Sequence, residues 1–116
     1  MSEYTKDNII LSLTLNFAIE IISYCEQLEQ NKKYVIARQL LKSGTSIGAN
    51  SREAQNAESR ADFIHKFKLA AKEADETEYW LLLCKNSNGY PETRCLMEKL
   101  KNIQRIINKI ISSSKH

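Results

Sequence analysis

From Ile9 onward, apolar side chains recur three and four residues apart: Ile10, Leu13, Phe17, Ile21, Tyr24 and Leu28. That spacing stacks them on one face of an α-helix. With Asp7 as a plausible N-cap ahead of them, the pattern predicts a first helix over 7–28. Ile9, Leu11, Leu15, Ala18, Ile19 and Ile22 widen the apolar face well past the ~100° stripe that a surface helix needs. Something other than its bundle neighbours is expected to cover the remainder.

After the polar break Gln30-Asn31-Lys32, the residues Tyr34, Val35, Ala37, Leu40 and Leu41 open a second helix, placed over 32–57. Gly44 and Gly48 interrupt it. Each costs about 1 kcal/mol within a helix, yet small residues four apart also let a second backbone approach, so Gly44 marks either a kink or a close contact. Ser59 followed by Asp62 reads as a capping box with Asp in place of Glu. It starts a third helix over 60–86, with core positions Phe63, Phe67, Ala70, Ala74, Thr77 and Leu81. The last turns, Tyr79 to Cys84, are apolar nearly all round. Pro91 suits the first position of a fourth helix over 91–112, whose Leu96, Leu100, Ile103, Ile107 and Ile110 alternate spacings of four and three. Ser112 to His116 is expected to fray.

Four amphipathic segments with short connections predict an all-α, up-down-up-down four-helix bundle forming one domain over 1–116. The length of 116 residues, with only three Gly and one Pro, agrees with this and argues against strands and hairpins. No run reaches the ~18 consecutive apolar residues that a bilayer span requires, and Met1 to Asn8 is polar and acidic where a secretory leader would be basic. The expectation is a cytoplasmic protein without membrane association. Cys25, Cys84 and Cys95 are odd in number and widely spaced in apolar surroundings, which fits reduced, buried thiols.

The net charge of +3 is unevenly distributed. Residues 1–90 carry 11 Lys and Arg against 12 Asp and Glu, whereas residues 91–116 carry 6 against 2. Lys101, Arg105 and Lys109 step by four along the last helix, and Arg94 lies seven residues before Lys101. Together they form a basic stripe opposite the Leu/Ile seam. Such a stripe meets phosphate well, although the solvated face of any amphipathic helix can also be basic.

Enzyme chemistry finds little to stand on. His65 and His116 are the only histidines, and neither sits among nucleophiles or acids at a catalytic spacing. Asp62-x-x-His65 is half of a di-iron bundle motif without its second half, so neither a metal nor another cofactor is expected, and no catalytic residue is assigned. The run Glu73 to Glu78 reads as a solvated, salt-bridged helix face. Glu76 is the exception, expected to be partly buried and in need of a partner. Ser46, Asn50 and Glu53 share one side of the second helix. With Glu76 they predict a hydrogen-bonded network tying helices two and three, with a ligand or partner site as the functional alternative.

Around Ser46-Ile47-Gly48-Ala49-Asn50-Ser51-Arg52-Glu53-Ala54 the chain resembles the small bacterial four-helix bundle proteins named for the intervening sequences of 23S ribosomal RNA. Ser46, Ile47, Asn50 and Glu53 match that family's Ser-Ile-x-x-Asn-x-x-Glu core, Phe63 its aromatic early in the third helix, and Glu76 its later Glu. Gly48 stands where many members have Pro, and Arg52-Glu53-Ala54 where many have Ala-Glu-Gly, which places the chain in a subgroup. The resemblance implies a homopentameric barrel with a nucleic-acid-associated role. It also implies kinship with the accessory protein that accompanies the reverse transcriptase of diversity-generating retroelements. Five copies would carry about +15, enough for salt-sensitive binding of RNA or DNA. The sequence therefore predicts a non-enzymatic oligomeric adaptor for nucleic acid through Arg94, Lys101, Arg105 and Lys109. The alternative is a scaffold for another bacterial protein, such as a reverse transcriptase, without direct nucleic-acid contact.

Overall fold

In a computed structural model describing residues 5–115, the expected four-helix bundle forms from α1 (Thr5–Gln30), α2 (Tyr34–Ala54), α3 (Arg60–Lys85) and α4 (Arg94–Ser114). Each helix packs against its two sequence neighbours, α4 closing the circle on α1. Across the diagonals, among the described residues, no Cα of α1 comes within 8 Å of one in α3, and the same holds for α2 and α4. Phe17, Ile21, Leu28, Leu40, Ile47, Phe67, Leu81, Leu100, Ile103 and Ile107 fill the centre with almost no exposure. These are the predicted stripes facing one another.

The helix ends refine the predicted boundaries. Since α1 begins at Thr5, Asp7 lies within the helix and not at its N-cap position. At its other end Lys32 adopts a left-handed φ of 63°. The Lys33 N–H donates to Leu28 O at 2.8 Å and the Lys32 N–H to Glu29 O at 2.9 Å. This is the Schellman arrangement, with a lysine where glycine is usual. After Ala54 the chain tightens into three-residue turns, Gln55 N to Arg52 O and Ala57 N to Ala54 O, so α2 stops short of residue 57. Ser59 caps α3 as predicted, its side chain accepting from the Asp62 N–H, while the Asp62 carboxylate accepts from the Glu58 N–H.

Pro91 does not start α4. Its carbonyl accepts from the Tyr24 hydroxyl at 2.8 Å, and the Glu92 carboxylate accepts from the N–H groups of Thr93 and Arg94. The loop is thus pinned to α1, and the helix begins three residues later, at Arg94. Its other end holds through Ser114, whose hydroxyl donates to Ile110 O at 2.6 Å, so most of the tail expected to fray is helical; His116 lies outside the described residues.

Gly44 resolves as a contact, since α2 is continuous through it. A Cβ on Gly44 would stand 2.9 Å from Ile21 Cγ2, and one on Gly48 3.2 Å from Thr14 Oγ1. The two glycines let α1 and α2 approach closely. Between α2 and α3 the buried hydroxyls of Ser43 and Thr77 hydrogen-bond at 2.9 Å.

The surplus apolar face of α1 stays uncovered within one chain. Leu15 and Ile19 are 52% and 56% exposed, Ile9 and Ile22 are also exposed, and a shallow apolar hollow beside Leu11, Leu15 and Ala18 is closed on the α2 side by Gly48 and Ala49. On the diagonal helix, Tyr79 and Leu82 are exposed too. The expectation that no segment could span a bilayer needs correction. Ile9–Gln30 is long and apolar enough by length and composition alone, because interspersed Ser, Thr and Asn interrupt an apolar run without making it strongly polar. Here its core face is spent on the bundle.

The thiols also differ from expectation, because Cys25 and Cys84 are buried but Cys95 is exposed. Cys25 lies on α1 and Cys84 on α3, so their Cα atoms stand more than 8 Å apart, beyond the reach of a disulfide. Burial pushes the Cys25 thiol up to about 12 and raises that of Cys84, which the Tyr24 hydroxyl partly offsets.

Candidate nucleic-acid interface

The Leu/Ile seam of α4 faces the core, which turns the residues half a turn away to solvent. Arg94, Lys101, Arg105 and Lys109 are all exposed there. Arg94 makes only a loose ion pair with Glu92 at 3.6 Å, and Arg105 bonds to Asn102 one turn earlier. Among the described residues Lys101 and Lys109 have no salt-bridge partner. Among the described residues, the one acid on this outward face is Glu98.

The flanks of α4 are tied down by other residues. Lys99 pairs with Glu20 of α1. Gln104 donates to Asp75 at 3.3 Å and Glu78 at 3.0 Å on α3. The basic stripe is therefore carried on a helix clamped from both sides, and its cations are free of that clamping. Beside it, between α3 and α4, opens a groove of about 440 Å³ lined by Glu78, Lys85, Arg94, Met97, Glu98 and Lys101 among others.

The four residues expected to form one network do not do so. The Ser46 hydroxyl donates to Lys42 O at 2.6 Å, and the Asn50 amide to Ser46 O at 2.9 Å, both within α2. Glu53 does cross to α3, accepting from Lys66 at 3.1 Å. Glu76 is exposed and accepts from Trp80 Nε1 at 3.1 Å. Since Ala74 and Thr77 point into the core, the helical turn sends Glu76 outward. Glu73, half-buried on this helix, has its carboxyl raised by burial and by Glu76, with Lys42 and Lys72 pulling the other way. The buried polar link between α2 and α3 is Ser43 with Thr77. Its only sequence signal was two small hydroxyl residues at core register.

The sequence matches the family model described as 23S rRNA-intervening sequence protein over residues 6–109. The chain belongs to that family. A solved structure similar to this chain is a protein of unknown function from the S23 ribosomal protein family of Bacteroides thetaiotaomicron. It is 41% identical, with a TM-score of 0.87, covering 92% of this chain and 98% of that one. No curated protein matches. Within this family member, Ser46, Ile47, Asn50 and Glu53 lie on α2 and Phe63 and Glu76 on α3. The α2 residues sit on the side of the helix that holds Ser43, the residue bonded to Thr77 of α3.

Proposed function

We propose that this protein is a non-enzymatic, cytoplasmic homo-oligomer, a pentameric barrel of four-helix bundles, that acts as an accessory protein binding RNA or DNA through its basic faces. The observation that carries the reading is the outward stripe of Arg94, Lys101, Arg105 and Lys109 on a helix anchored at both flanks. A stripe on one chain of net charge +3 is weak. Repetition in an assembly strengthens it, because salt-dependent phosphate binding grows with the number of cations engaged.

Assembly is supported by the apolar residues left exposed on α1 and, at the opposite corner of the bundle, on α3. Two unlike patches on diagonal helices suit head-to-tail contacts, which form a ring when the rotation between successive copies closes. The copy number of five follows the family resemblance.

Binding of fluorescent RNA and DNA across a salt series tests the reading. The logarithm of the affinity should fall linearly with that of the salt concentration, and Lys101→Glu combined with Arg105→Glu should flatten the slope. No affinity at low salt, or indifference to that pair, overturns it. A second reading, a scaffold for a protein such as a reverse transcriptase, is favoured by the exposed Tyr79, Leu82 and Val35. It predicts that binding to the purified partner survives nuclease and the charge-reversal pair but not Tyr79→Asp.

A further inference from the structure

The α3–α4 groove carries a chemistry that the outward stripe lacks. We infer that it seats one unpaired nucleotide of a single-stranded RNA or DNA, with a phosphate between Lys85 and Lys101 and the amino edge of the base on Glu98. The inference rests on the nucleic-acid reading of the stripe.

The groove's volume of about 440 Å³ falls in the range of pockets that hold small organic ligands. Its six charged residues are three cations and three carboxylates, so it is not an anion hole. What matters is which of them are already engaged. Glu78 receives the Gln104 amide, and Glu92 caps the N–H groups of Thr93 and Arg94. Among the described residues, Lys85, Lys101 and Glu98 make no ion pair or side-chain hydrogen bond. The unused groups are two ammonium ions from different helices and one carboxylate.

A duplex presents its phosphates first, with its base edges paired and recessed in the grooves, and Glu98 repels those phosphates. An unpaired nucleotide offers both signs of partner. Its phosphate meets the ammonium groups, and an exocyclic amino group of cytosine, adenine or guanine donates to a carboxylate. Uracil and thymine carry no such group. Met97, half-buried at the groove, supplies a polarisable thioether against a ring face. Arg94 and Lys101 belong to both groove and stripe, so a strand running along α4 passes the groove without a break.

Anisotropy at fixed low salt, on the full chain, compares labelled oligo(C), oligo(U) and an RNA duplex of equal length. Oligo(C) should bind at least about fivefold more tightly than oligo(U), the low end of a base contact. Glu98→Gln should bring that ratio towards one, and Lys85→Gln should weaken oligo(C) more than duplex. Equal binding of duplex and oligo(C), or a ratio unmoved by Glu98→Gln, overturns the nucleotide site. If Arg105→Glu still weakens every probe in that case, the stripe reading stands alone. If no probe binds the unaltered protein, both fall.

Discussion

The hydroxyls of Ser43 on α2 and Thr77 on α3 meet at 2.9 Å in the closed interior of the bundle, and both residues are fully buried. Ser43 also lies 3.4 Å from Leu40 O and Thr77 2.7 Å from Glu73 O; with one proton on each hydroxyl, one residue donates along its own helix and the other across the interface, so neither is left without a partner. A buried hydroxyl without partners would cost about 1–3 kcal/mol, and this pairing avoids that while letting two helices come close. Thr77→Val keeps the shape and deletes the cross-link. The unfolding midpoint in urea should fall by the equivalent of about 1 kcal/mol, with unchanged helix content by circular dichroism.

The two glycines of α2 should respond differently to alanine. At Gly44 the new Cβ would press on Ile21 at 2.9 Å, and overpacking of this kind costs about 1–3 kcal/mol. At Gly48 the nearest atom is Thr14 Oγ1 at 3.2 Å, and the gain of about 1 kcal/mol in helix propensity offsets the crowding. Denaturant melts should rank Gly44→Ala clearly below Gly48→Ala. The reverse order would mean that Ile21 yields more easily than Thr14.

Lys32 holds a left-handed backbone that costs a residue with a Cβ about 1 kcal/mol. Lys32→Gly should therefore stabilise the protein by roughly 0.5–1 kcal/mol, less whatever the freer unfolded chain takes back. A thermal melt showing a lower midpoint would contradict this account of the α1–α2 turn.

Cys25 and Cys84 are held as neutral thiols by burial, whereas Cys95 is exposed. Titration of the native protein with a thiol-reactive disulfide at mild alkaline pH should show one fast equivalent, the other two following only on unfolding. The same groups bear on stability. The thiol of Cys25 rises from 9.0 in the unfolded chain to about 12 in the fold, so its contribution is complete below pH 9 and is lost as the pH climbs towards 12. Tyr24, also raised by burial, adds to the same alkaline loss. Cys25→Ala should make the decline above pH 9 shallower.

Exposed Leu15 and Ile19 lie on the outer face of α1, where a charge disturbs no core contact. If this face joins copies, Leu15→Glu with Ile19→Glu should leave circular dichroism intact and reduce the mass found by light scattering to that of one chain. A protein whose mass is unmoved does not assemble through α1.

Much of the architecture was legible from the chain itself, because helical periodicity is a local property. The stripes of α1 to α4, the Ser59 cap and the basic outer face of α4 all depend on spacing within a single helix. The surplus apolar face of α1 was legible for the same reason. What needed the fold was anything decided between helices. Gly44 could have been a hinge, and only the position of Ile21 makes it a contact. Pro91 looked like a helix start until the Tyr24 hydroxyl took its carbonyl. Ser46, Asn50, Glu53 and Glu76 looked like one network, but helical rotation points Glu76 to solvent and leaves Ser43 and Thr77 to bridge the interior. The groove beside the stripe is likewise a tertiary product, since Lys85 and Lys101 come from helices whose juxtaposition no periodicity encodes. Spacing along the chain determines which way a side chain faces on its own helix, and packing alone decides what it meets there.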